Sequence, residues 1–168
     1  ILNLNNVLIS GNRSNASEPN ASGSAIYFSR RVRSEFENVT IENNHGAGNG
    51  GGIALQYLCE VALKDSTVTG NSSNGNGGGL YLGTLCKIHL DNTIVSGNTT
   101  IARGGGAMIQ PSATLTMRSS TLKENTANIG GGVYIAQAGK LDAAEASIVN
   151  NTATGKASAI YSAGSIYL

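Results

Sequence analysis

Any chemistry in this chain has to come from a short list of side chains. Its 168 residues include ten acids, two histidines, two cysteines and six tyrosines. Cleaving a polysaccharide needs carboxylates, or a carboxylate and a base, converging within a few ångströms. The acids here fall in unrelated positions, with Glu35 and Glu37 the only close pair, and neither His45 nor His89 has a recurring partner. No Ser/His/Asp grouping or metal-ligand set can be assembled, so the reading is non-enzymatic, with no catalytic residue, metal or cofactor. Three other groupings remain. Cys59 and Cys86 lie 27 residues apart, Tyr27, Tyr81, Tyr134 and Tyr161 recur at near multiples of that interval, and seven Asn-x-Ser/Thr patterns occur.

That interval governs the whole chain. The aliphatic position in Gly77-Gly78-Gly79-Leu80 recurs as Ile26, Ile53, Leu80, Ala107, Val133 and Ile160, at steps of 27, 27, 27, 26 and 27. An asparagine recurs as Asn12, Asn44, Asn71, Asn98, Asn125 and Asn151, always 18 residues after the aliphatic in the five units that hold both. Periods of this size and regularity mark a repeat architecture. Within each unit three segments alternate apolar and polar residues with the two-residue period of strands, as in Leu80-x-Leu82, Ile88-x-Leu90 and Thr93-x-Val95. No 3.6-residue period appears.

The expected fold is all-β: a right-handed parallel β-helix of about six coils of 27 residues, with three short strands per coil. Each strand pairs with its copy one coil away, about 4.7–4.9 Å along the axis. Residues 1–168 form one domain, with a loop insertion at 13–25, where Asn12 and Ile26 are 14 apart instead of the usual 8 or 9. The glycine triplets supply a tight corner, and the asparagine column is expected to sit in the left-handed region and bond through the stack as an amide ladder.

Composition narrows the partners. Charged residues are 12%, about half the usual share, and the formal net charge is +1, which leaves no electrostatic footprint for nucleic acid. No apolar run is long enough to enter a bilayer, so no direct membrane insertion is expected.

On the coil, Cys59 and Cys86 share a column, at a separation a disulfide can span. A bridge is expected there, with two buried thiols as the other outcome, and a bridge would point outside the cytosol. Among the acceptor patterns, Asn15 and Asn20 in the insertion and Asn38 in an all-polar corner column are the N-glycosylation candidates, whereas Asn12, Asn71 and Asn98 belong to the ladder. The four tyrosines would form an outward stripe able to stack on sugar rings or on a neighbouring protein.

Gly-Gly-aliphatic followed by aliphatic-x-x-Asn resembles the paired GGA[ILV] and FxxN motifs of the polymorphic outer-membrane protein family. The pairs are Gly51-Gly52-Ile53 with Val68-x-x-Asn71, Gly78-Gly79-Leu80 with Val95-x-x-Asn98, Gly105-Gly106-Ala107 with Leu122-x-x-Asn125, and Gly131-Gly132-Val133 with Ile148-x-x-Asn151. The family's Phe is aliphatic in every copy here, and no C-terminal membrane barrel is present. The resemblance implies a β-helix with a surface-adhesin role. Leu2 and Leu168 share a phase of the repeat, and neither end has a capping pattern. A longer chain, or head-to-tail stacking into a filament, is therefore expected.

The resulting expectation is a non-catalytic extracellular or cell-surface structural and adhesive glycoprotein that associates with itself or with other surface proteins. The alternative is a carbohydrate-binding or polysaccharide-processing module that uses the tyrosine stripe on glycans.

Overall fold

In the computed structural model, which describes residues 1–15 and 25–168, every strand pairs in parallel with its counterpart one repeat away. Six copies of the first strand, from Ile26–Arg30 to Ile160–Ser162, form one sheet and define about five turns. The second sheet stacks seven strands, from Leu4–Asn5 through Arg33–Glu37, Glu60–Lys64 and Lys87–Asp91 to Ser165–Tyr167. The third has six, from Leu8–Ser10 to Ser147–Val149. No helix occurs among the described residues.

A fourth sheet corrects the expectation of three strands per coil. It runs through His45–Gly46, Ser72–Ser73, Thr99–Thr100, Thr126–Ile129 and Thr152–Lys156. Its inward positions are Gly46, Ser73, Thr100 and Ala127, all buried and small or polar, so this segment carries no apolar alternation to read.

The core is a set of columns of like residues. Ile53, Leu80, Ala107 and Val133 stack in the first sheet, Val61, Ile88, Leu115 and Leu141 in the second, and Ile41, Val68, Val95 and Leu122 in the third, all at 0% exposure. Burying a side chain of this kind is worth about 1.5–3 kcal/mol, and each coil repeats the gain.

Corners are made by left-handed residues that stack from coil to coil. Between the second and third sheets they are Asn6, Asn38, Asp65, Asn92, Ser119 and Glu145, with φ from 45° to 54°. Asn and Asp tolerate this region best, and the bend residues also donate their N–H groups to the next coil, as in Asn38 to the Lys64 carbonyl at 3.1 Å. The ladder asparagines are not themselves left-handed. That role falls to the preceding residue, Gly11, Asn43, Gly70, Gly97, Glu124 or Asn150.

Before the first sheet the backbone of adjacent coils approaches too closely for any side chain. A Cβ on Gly78 would lie 2.5 Å from the Gly105 carbonyl oxygen and 2.7 Å from the Thr99 carbonyl. Both neighbours are backbone and cannot swing aside.

Candidate functional site

Two-residue alternation puts half of each strand on the outside, and register decides which outward residues become neighbours. The second sheet contains an unexpected concentration of charge. Ala62 has Glu60 and Lys64 beside it along its strand, and Glu35 and His89 opposite it in the adjacent coils. Its diagonal neighbours are Arg33, Glu37, Lys87 and Asp91. Every outward position around this one small residue is therefore ionisable: four carboxylates, three cations and an imidazole.

Because Ala62 has no bulk, a depression of about 540 Å³ opens over it, bordered also by Asn3 and Asn5. Charges of opposite sign pair across coils around it, Arg33 with Glu60 at 3.6 Å and Lys64 with Glu37 at 3.4 Å, and the His89 imidazole lies 3.7 Å from Glu60. These pairs are partly exposed, so each stabilises little, in the range of about 0–1 kcal/mol. Their effect is to fix a pattern of mixed sign on this face of the sheet. Four of the ten acids scattered through the sequence thus come together in one mosaic, which only cross-coil register reveals.

The tyrosine stripe is not the open platform expected. Tyr27 is 46% exposed, but Tyr81 is 8% exposed and packs with Ala54 and Met108, and Tyr134 packs against that cluster. The loops before the first sheet close over this face: a Cβ on Gly50 would touch Ala54, one on Gly77 would touch Tyr81, and the Arg103 guanidinium lies 5.1 Å from the Tyr134 ring centre. Tyr134 and Tyr161 stack with ring centres 4.8 Å apart. Burial pushes the Tyr81 hydroxyl above its ordinary value of 10.0, with a hydrogen bond to Gln110 pulling the other way.

On the fourth sheet His45 stacks directly on Ser72, and His45 Nδ1 lies 2.9 Å from Ser72 Oγ. The pair borders a groove of about 510 Å³ that continues past Thr99, Ile101 and Thr126. Sequence reading missed this contact because the fourth strand itself was invisible. Among the described residues no three metal-ligating side chains converge.

The chain is matched over residues 1–167 by the family model of the right handed beta helix region. The chain belongs to the right-handed β-helix family. No curated protein and no solved structure gives a significant match.

In this β-helix the asparagine ladder forms as expected. Each of Asn12, Asn44, Asn71, Asn98 and Asn125 donates its backbone N–H and its side-chain Nδ2 to the Oδ1 of the next rung, at 2.9–3.1 Å. From Asn44 onward, the second Nδ2 hydrogen goes to a carbonyl of the preceding coil, as from Asn98 to Val68 at 3.0 Å. The interior rungs therefore satisfy all their side-chain polar capacity while buried.

A second polar ladder was hidden one residue before each third-sheet strand, at positions read as apolar alternation. The Val39, Ser66 and Thr93 N–H groups donate to the hydroxyls of Ser66, Thr93 and Ser120 in turn, at 3.1, 3.4 and 3.0 Å. The hydroxyls of Ser66 and Ser120 pass their own hydrogens to Lys64 O and Arg118 O at 2.7 Å.

Cys59 and Cys86 share a buried column in this β-helix, but both thiols are free, and the expected disulfide is not formed. Parallel stacking engages each sulfur with backbone. Cys86 Sγ accepts the Cys59 N–H at 3.4 Å, and Cys59 Sγ lies 3.4 Å from the Tyr57 carbonyl and 3.7 Å from that of Phe28. Burial pushes the Cys86 thiol up to about 11.

Of the glycosylation candidates, Asn15 and Asn38 are exposed, and Asn20 lies outside the described residues. Asn71 and Asn98 are fully buried and their side-chain amides are engaged in the ladder.

Proposed function

We propose that this β-helix is a non-catalytic structural and adhesive module that works outside the cell, in the manner of polymorphic outer-membrane protein repeats. The observation that carries the reading is the ring of eight ionisable side chains around Ala62, held in register by the second sheet. A mosaic of mixed sign held by the sheet favours a partner surface of complementary pattern and disfavours one of uniform charge. The partner is then another surface protein or a second copy of this chain. The side chains of the mosaic stand in water, which suits reversible recognition better than acid–base turnover. The exposed Asn15 and Asn38, each of which opens an acceptor pattern in the sequence, support a secreted, glycosylated setting, and the Gly-Gly-aliphatic and aliphatic-x-x-Asn pairs support the surface-repeat relationship.

The test uses beads coated with the intact protein, scored for clumping and for attachment to a cultured cell monolayer. Clumping or attachment that weakens as salt is added, and that drops at least tenfold in Glu35→Lys/Asp91→Lys, is the expected result. Beads that neither clump nor attach, or that behave alike in both proteins, would end the adhesive reading.

A further inference from the structure

Outside the charged face, the molecule's other concentration of chemistry is the His45–Ser72 contact. A serine hydroxyl is a weak nucleophile in water and becomes a useful one when an adjacent base takes its proton. His45 and Ser72 are in-register partners on adjacent strands, so their side chains leave the sheet side by side and in parallel. The 2.9 Å separation is within hydrogen-bond reach. With the imidazole proton on Nε2, Nδ1 is the acceptor and the Ser72 hydroxyl donates. Arg13, in register with His45 on its other side, places a cation in the same column.

The groove beside the pair is suited to an acyl group. Ile101, one coil along and two residues further, is 76% exposed and lines it, giving an apolar rest next to the hydroxyl. Asn74 and Thr99 line the same groove and carry an amide and a hydroxyl that can donate to a carbonyl oxygen.

We propose that Ser72 is a His45-activated acyl acceptor, and that its donor is an ester bearing a short apolar acyl chain. Ser72 Oγ forms a bond to the ester carbonyl carbon while its proton moves to His45 Nδ1, and the carbonyl electron pair shifts to oxygen. Collapse of that oxyanion breaks the carbon–oxygen bond to the leaving alcohol, which departs with the proton from Nδ1. The products are an O-acyl Ser72 and one alcohol. This chemistry does not depend on the adhesive reading and can fail or stand separately from it.

The experiment treats the intact chain with p-nitrophenyl butyrate. Release of p-nitrophenolate approaching one equivalent per chain, with a single butyryl group mapped by peptide mass spectrometry to Ser72, is the expected result. Ser72→Ala should abolish the adduct, and His45→Gln should slow its formation on the order of 100-fold, the usual share of a general base. Thermal melting of both variants confirms that they fold. Wild-type protein that gains no butyryl group on Ser72, or a folded His45→Gln protein acylated at the wild-type rate, would overturn the proposal.

Discussion

Asn98 gives both its backbone N–H and its side-chain amide to one oxygen, the Oδ1 of Asn125, at 3.0 Å each. The same Asn98 receives both donors of Asn71 on its own Oδ1, at 2.9 and 3.0 Å. Replacing it with alanine strands two donors on Asn71 and the Val68 carbonyl, and takes from Asn125 Oδ1 one of its two hydrogens, leaving it the backbone N–H. Unsatisfied buried groups cost about 1–3 kcal/mol each, with incomplete additivity. Asn98→Ala is expected to lower unfolding free energy by about 4 kcal/mol or more in urea titrations, against less than about 1 kcal/mol for the exposed Asn12→Ala.

Thr93 tests the hydroxyl ladder in the same way. Thr93→Val keeps the shape but removes the acceptor for the Ser66 N–H and the donor to the carbonyls of Leu63 and Asp91. A loss of about 1–3 kcal/mol is expected. Arg118→Ala removes the shortest ion pair, 2.9 Å to Asp142, yet both partners are partly exposed. Its cost should stay below about 1 kcal/mol and shrink in salt. Denaturant midpoints that rank these two variants in the opposite order would refute this account of where the polar stability lies.

The buried Cys86 thiol gives stability a defined alkaline edge. Its value is raised by burial from an ordinary 9.0 to about 11, so the unfolded chain ionises first as pH rises. Its contribution is complete below pH 9 and is lost as pH climbs through the interval to about 11. The full loss is on the order of 2–3 kcal/mol. Burial raises Tyr81 as well, which adds to the fall in the same direction. Thermal midpoints measured across this range should drop, and Cys86→Ala should be less stable at neutral pH but fall less steeply.

Exposure separates acceptor asparagines that look alike in sequence. Asn38 stands at an exposed corner, whereas Asn71 and Asn98 are enclosed with their amides in use. Peptide mapping of folded protein secreted from a eukaryotic host should find hexose-bearing mass at Asn38 and none at Asn71 or Asn98.

The fold was legible because it repeats: Leu80 and its copies name a column before any coordinate is known. The asparagine ladder was legible for the same reason, although the left-handed role passed to its neighbours. The fourth sheet was not, since Gly46, Ser73 and Thr100 face inward without apolar bulk and imitate a loop. Ser66 and Thr93 hid inside an alternation that a hydroxyl fills as well as a methyl. The ring around Ala62 needs two registers applied together, and the closed face over Tyr81 depends on how a glycine loop folds back. Neither is local in sequence. The cysteine column was placed correctly, but nothing in its spacing says which way each sulfur points.

The amide ladder also makes the rod a one-way street. Each interior rung hands its backbone N–H and one amide hydrogen forward to the next Oδ1 and receives the same pair on its own oxygen from behind, so the side-chain dipoles add along the axis. A coil laid in upside down would set oxygen against oxygen and hydrogen against hydrogen at a buried site. A folded coil therefore accepts a neighbour only in its own direction and phase, which makes each turn a template that copies its polarity into the next.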